Sequence, residues 1–200
     1  MRPLEAGLIA GSLCLFFVVN AKDGLGGAPG SHWELRPGHN GDARFALEVR
    51  ESGHHWRSEN PQPWSSFRGI TEADLHRNGP VKFEFIGEAG TLVAAGAANG
   101  RRAKGDFTFK ASPEFKTALV AVGYESPSDQ QCFEFMMHGV TLELAKLMRG
   151  PGLETRLRDL NELAIHGVTV DYVKDVRAAG FDKIGAREFV EMRIHGVDAE

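Results

Sequence analysis

The triplet His-Gly-Val occurs three times in the second half of the chain, as His138-Gly139-Val140, His166-Gly167-Val168 and His195-Gly196-Val197. The copies are 28 and 29 residues apart. A period of that length marks stacked supersecondary units, each too small to bury its apolar face alone. Residues 109–137 align without a gap on 166–194, so that Ser112 falls on Thr169, Glu114 on Asp171, Phe115 on Tyr172, Gly123 on Gly180 and Tyr124 on Phe181. Three units result, 109–137, 138–165 and 166–194, and a fourth stops at Asp198-Ala199-Glu200.

Each unit reads as a helical hairpin. Ser112, Thr141 and Thr169 are N-caps whose hydroxyls accept from free N–H groups one turn on, and Glu114, Glu143 and Asp171 follow in the first turn, where the helix dipole favours an acid. Pro113 takes the first helical position, where no N–H is needed. Gly123 and Gly180 end the first helix in the left-handed conformation, and the aromatic after each packs back on the last turn. Gly139, Gly167 and Gly196 do the same for the second helix, with Val in place of the aromatic. Leu153, Leu157, Leu160 and Ala164 line the second helix of unit two, with Arg156, Arg158 and Glu162 facing water. Gly150-Pro151-Gly152 makes that unit looser. His138, His166 and His195 stand at helix ends, where imidazole can bond the last carbonyls. Stacked equivalents lie about 10 Å apart, too far to share a zinc whose bonds are about 2 Å.

Upstream the pattern switches to period two, the mark of half-buried strands: Phe45, Leu47 and Val49 in 43–50, and Val81, Phe83 and Phe85 in 81–87. Asn40-Gly41 suits a hairpin entered from Trp33 and Leu35. Asn99-Gly100, between 91–98 and 104–110, is the strongest hairpin signal in the chain. Residues 64–70 are a weaker strand, 71–78 a short helix capped by Thr71 and closed at Gly79, and 51–63 a loop. Short turns predict an antiparallel meander of five or six strands in a sheet, sandwich or partly open barrel. The small residues 94–98 call for a bulky neighbour, with Trp33, Trp56 and Trp64 the candidates. The expected fold is α+β: an antiparallel β domain over 32–110, then an α-hairpin array over 111–200 whose first unit stacks on the sheet.

The N-terminus reads as an export signal over 1–21. Arg2 precedes an apolar run, 8–19, that is short for the roughly 20 residues of a membrane span, and Val19-Asn20-Ala21 suits cleavage. An uncleaved anchor is the alternative. Residues 22–31 (KDGLGGAPGS) form a flexible linker. Cleavage would remove Cys14 and leave Cys132 alone among apolar residues, as a buried thiol and not a nucleophile. The formal charge of -4 argues against nucleic acid as a partner, which asks for a basic face.

The search for chemistry finds no His-Glu-x-x-His, no Gly-x-Ser-x-Gly, no phosphate-cradling loop and no paired Cys motif. No catalytic residue and no cofactor is implied. His54 and His55 are the metal candidates, provided a loop lets both side chains turn the same way. Trp56, Trp64 and Phe67 are the candidates for an aromatic binding surface, with core packing as the competing reading. Arg101, Arg102 and Lys104 lie at a hairpin tip, as a solvated turn.

The unit His166–Val197 (HGVTVDYVKDVRAAGFDKIGAREFVEMRIHGV) resembles repeats in the extracytoplasmic tails of bacterial membrane proteins. Among these are zinc metallopeptidases of the β-lactam-sensor class and small exported proteins. Ala89-Gly90-Thr91, Gly105-Asp106-Phe107-Thr108-Phe109 and Ser112-Pro113-Glu114-Phe115 are similar to the region just upstream of those repeats, so the resemblance spans roughly 80–200. It implies an envelope location and a sensing or docking role. The peptidase's membrane helices and zinc motif are absent, so proteolysis is not implied. The expectation is a non-catalytic exported module that presents a surface to an envelope or membrane protein, a peptide or an envelope polymer. The alternatives are a metal-dependent hydrolase or metal-binding protein using the His-rich β domain, and a structural accessory domain of a membrane sensor.

Overall fold

The computed structural model describes residues 31–51, 54–150 and 153–198, with side chains outside 50–56. The expected signal and nearly all of the linker lie outside the described residues, as do Pro151 and Gly152.

Seven strands pair antiparallel in one sheet: β1 (His32–Pro37), β2 (Ala43–Glu51), β3 (His54–Gln62), β4 (Phe67–Arg68), β5 (Gly79–Gly87), β6 (Gly90–Asn99) and β7 (Arg102–Ala111). Their spatial order is β3-β2-β1-β7-β6-β5-β4. Three expectations change here, the first being that seven strands stand where five or six were expected. The stretch read as a loop over 51–63 is largely strand β3, paired along its whole length with β2 from Glu51↔His54 to Ala43↔Gln62. Its Pro61 is tolerated because β3 is an edge strand, with one side free of ladder bonds. The weak strand at 64–70 shrinks to Phe67–Arg68, preceded by a 3-10 turn at Trp64–Ser66.

The sheet curls until its far strands meet. Phe45 of β2 lies four strands from β5, about 19 Å in a flat sheet. Yet its ring centroid is 5.2 Å from Phe85 and 6.1 Å from Phe83. The result is the partly open barrel among the expected forms, lined by Trp33, Leu35, Phe45, Phe67, Phe83 and Phe85. Trp33 is the bulky neighbour that the small residues of β6 require. Its indole N–H donates to Ala95 O (3.3 Å) and Asp106 O (2.9 Å), and its ring meets Phe83 edge-on at 4.8 Å.

Asn99-Gly100 does mark a hairpin, but one residue off centre. Asn99 pairs with Arg102, which places Gly100 (φ 59°) and Arg101 (φ 70°) at the two central, left-handed positions. The tip is held from outside. Arg101 N–H donates to Leu75 O and Gly100 N–H to Asn78 Oδ1. These bonds belong to the end of α1 (Glu72–Leu75), a single turn where residues 71–78 promised a longer helix. Thr71 caps it as expected, and Asp74 accepts from the Thr71 N–H and hydroxyl, which holds its carboxyl below the usual range.

The C-terminal half forms three helical hairpins: α2 (Pro113–Val122) with α3 (Asp129–His138), α4 (Leu142–Leu147) with α5 (Leu157–Ile165), and α6 (Val170–Ala178) with α7 (Ala186–Ile194). They stack in two layers. The first helices pack α2 on α4 on α6, and the second helices α3 on α5 on α7. In α5 the buried residues are Leu157, Leu160 and Leu163; Leu153 precedes the helix and Ala164 is half-buried. The array rests on the sheet through α3, whose Phe133 ring stacks on Phe107 at 6.0 Å and meets Phe109 at 5.3 Å. Ser112 N–H donates to Ala89 O, and Glu88 Oε2 accepts from the first N–H of α4, Leu142 N, at 2.7 Å. One apolar core runs through sheet and helices.

Candidate functional site

The helix junctions are built as the residues dictate. Ser112, Thr141 and Thr169 accept from Phe115, Leu144 and Tyr172 N–H at 3.1 Å each. Gly123, Gly139, Gly167, Gly180 and Gly196 are all left-handed, with φ between 67° and 100°. The histidines behave differently from expectation. Among the described residues no hydrogen bond joins the imidazoles of His138, His166 or His195 to a helix carbonyl. Burial pushes His138 below its ordinary pKa against the pull of Glu134.

The carbonyl ends of the first helices, α2 and α4, are capped by arginines from the next unit. Arg149 follows its N-cap Thr141 by eight residues, and Arg177 follows Thr169 by eight. Arg149 lies over the Tyr124 ring at 4.6 Å and donates to Gly123 O and, at 2.7 Å, to Thr155 O. Arg177 donates to Leu147 O at 2.7 Å, at the end of α4. A guanidinium suits both tasks, since it stacks on an aromatic face while its edge donates, and a cation is favoured at a helix C-terminus. In unit one the same position is Val120, 49% exposed; no helical unit precedes it. The signal was present in the sequence as an arginine at one offset from two caps. It had no assigned role because the acceptor lies in a different unit.

The last unit lacks this cover. Tyr124 is 5% exposed, but its equivalent Phe181 is 55% exposed. Val140 and Val168 are 3% and 2% exposed, but their equivalent Val197 is 41% exposed. Among the described residues, the last unit therefore leaves an aromatic ring after α6, a valine after α7 and the Gly180 carbonyl uncovered. This is the candidate site.

The other sequence candidates are dispersed. His54 and His55 are consecutive residues of β3; their side chains, and that of Trp56, lie outside the described residues. Phe67 is buried between Phe45, Phe83 and Phe85, so it serves the core. Trp64 is half-buried against that core and borders a shallow 430 Å³ depression with Asn40, Pro61 and Pro63. Cys132 is fully buried, its thiol pushed up to about 11 by desolvation. A 480 Å³ depression on the sheet is lined by His32, Glu34, Glu48, Arg57 and Lys104. There His32 Nδ1 lies 2.7 Å from Asp106 Oδ1, and among the described residues no hydroxyl bonds to the imidazole. Among the described residues no three His, Cys, Asp or Glu side chains gather as a metal site. No described helix is long and apolar enough to cross a membrane.

Searches against protein-family models, curated proteins and solved structures found no match to this chain.

Proposed function

We propose that the protein is a non-catalytic, exported docking module of the bacterial cell envelope. The curled sheet anchors a three-hairpin array, and the open end of the array receives a partner. The observation that carries this reading is the change in cover along the repeat: positions sealed in units one and two are open in unit three, with Phe181 55% and Val197 41% exposed. Large apolar side chains left open beside an unbonded carbonyl, Gly180 O, at one end of a solenoid suit a docking surface. The envelope address rests on the N-terminal apolar run and on the resemblance of the repeat to extracytoplasmic tails.

The test is site-specific photo-crosslinking in the native host, followed by fractionation. A benzophenone side chain at position 181 is expected to give one discrete adduct in the envelope fraction, suppressed by Val197→Asp, while the same probe at exposed Ile86 gives none. No adduct at 181, or equal adducts at both positions, would overturn the docking reading. Stoichiometric metal in the purified protein, lost in His54→Ala and His55→Ala, would replace it with a metal-dependent function.

A further inference from the structure

The caps that end α2 and α6 have the same construction. Gly123 and Gly180 sit at φ 99° and 100°. Gly123 N–H donates to Val120 O at 3.0 Å and Tyr124 N–H to Leu119 O at 3.1 Å; Gly180 N–H donates to Arg177 O at 2.9 Å and Phe181 N–H to Val176 O at 3.3 Å. On the first cap, the following hairpin lays Arg149 across the Tyr124 ring and onto Gly123 O. On the second, the Phe181 ring is open, and among the described residues Gly180 O receives no donor.

Taking this end as the docking surface proposed above, we infer that its occupant is an α-helical hairpin of the same repeat class. Its first helix brings an arginine, eight residues after the N-cap, onto Gly180 O and the Phe181 ring. Three observations select this occupant. The two internal interfaces already show what fits: Arg149 on the α2 cap and Arg177 on the end of α4. The site combines an aromatic face with a carbonyl acceptor at a negative helix end, which the planar guanidinium, stacking on the ring while its edge donates, satisfies better than an ammonium. The open apolar positions also occur in both layers, with Phe181 after α6 and Val197 after α7, so a single helix would leave one uncovered. A second folded copy of this chain does not supply the arginine. Arg149 and Arg177 are engaged within the array, and Val120 stands at the matching position of unit one.

The probe is a peptide of residues 138–168, the hairpin that covers the equivalent cap inside the chain. It is titrated into the full isotope-labelled protein, with amide shifts followed by NMR. Shifts that saturate at Phe181 and Val197 are expected, with affinity reduced about tenfold or more for the Arg149→Ala peptide, the scale of a lost hydrogen bond to a charged group. So that the folding cost of the peptide cannot hide binding, the same segment is also joined to the C-terminus through a flexible linker, at roughly millimolar effective concentration. No protection of Phe181 in that tethered form would overturn the hairpin occupant. Equal binding of the two peptides would overturn the arginine. In either case an envelope adduct at position 181 would leave the docking reading standing. A dimer of the protein alone, abolished by Phe181→Glu in sedimentation, would assign the face to a second copy and overturn the inference.

Discussion

At Gly167 the backbone sits at φ 73°, and a Cβ added there would meet only Arg193 Nη2, at 3.6 Å. The cost of a side chain at this position is therefore conformational and not steric. Left-handed backbone costs an L-residue roughly 1–2 kcal/mol, and a β-branched residue is the worst placed. Gly167→Val is expected to lower stability by more than about 1 kcal/mol, and Thr169→Ala, which loses the bond to Tyr172 N–H, by about 1 kcal/mol. Urea titration of each variant measures this, and unchanged midpoints in both would remove the junction from the forces that hold the array. The neighbouring triplet carries a pH dependence. Burial lowers the pKa of His138 in the folded protein below 6.5, so between that depressed value and 6.5 the unfolded chain binds more protons. The contribution of the neutral imidazole is full above pH 6.5 and is lost as pH falls through that window. His138→Gln is expected to flatten this part of the stability curve, and a variant whose stability declines as steeply as the parent protein's would assign the dependence to other groups.

At the scale of elements, the arginine caps predict an asymmetry between equivalent positions. Arg177→Met leaves Leu147 O without its donor and is expected to cost about 1–2 kcal/mol, discounted for the partial exposure of the side chain. Val120→Met, at the same repeat position where no helix end waits, is expected to change stability by less than about 0.5 kcal/mol. Equal effects would show that the arginine acts through bulk and not through the carbonyl. In the sheet, Gly96 and Gly105 face each other across β6 and β7. A Cβ on Gly105 would fall 2.0 Å from Ala95 O and 2.5 Å from Gly96 Cα. Gly105→Ala must push the strands apart beside the carbonyls that hold the Trp33 indole, and is expected to cost roughly 1–3 kcal/mol with a shift in tryptophan emission. An unshifted spectrum with parent-like stability would show that β6 and β7 separate freely. These elements also show which parts of the fold the sequence disclosed. Helix ends were readable because a cap and its glycine lie within a few residues of each other, and β2, β5 and β7 because one face of each is apolar. β3 was missed because its polar sequence and Pro61 fit an edge, and edge position depends on pairing far along the chain. The open end was missed for a related reason. Phe181 and Val197 look like Tyr124 and Val168 in sequence, and only stacking distinguishes a covered position from an uncovered one.

For the whole molecule, the question is whether sheet and array are one cooperative body. The links that join them include Phe133 of α3 against Phe107 and Phe109, Ala89 O to Ser112 N–H, and Glu88 to the start of α4. An array of hairpins standing alone tends to lose units from its ends. Here the first unit is fused to a sheet whose core continues into the helices, while the third ends in an uncovered face. All three tryptophans, Trp33, Trp56 and Trp64, belong to the sheet half, and the three hairpins carry none. Tryptophan emission therefore follows the sheet, and circular dichroism at 222 nm follows mainly the helices. The two signals are expected to change together in urea, as one core requires. Phe133→Ala is expected to move both midpoints downward together, by about 3–5 kcal/mol in stability, because a ring shared by the two halves is lost. Hydrogen exchange should then grade along the array, slowest in α3 and fastest in α7 at the open end. Emission and helicity that separate in the parent protein would show that the contact at Phe133 joins two independent bodies, and the sheet would then be a support for the array and no part of its folding unit.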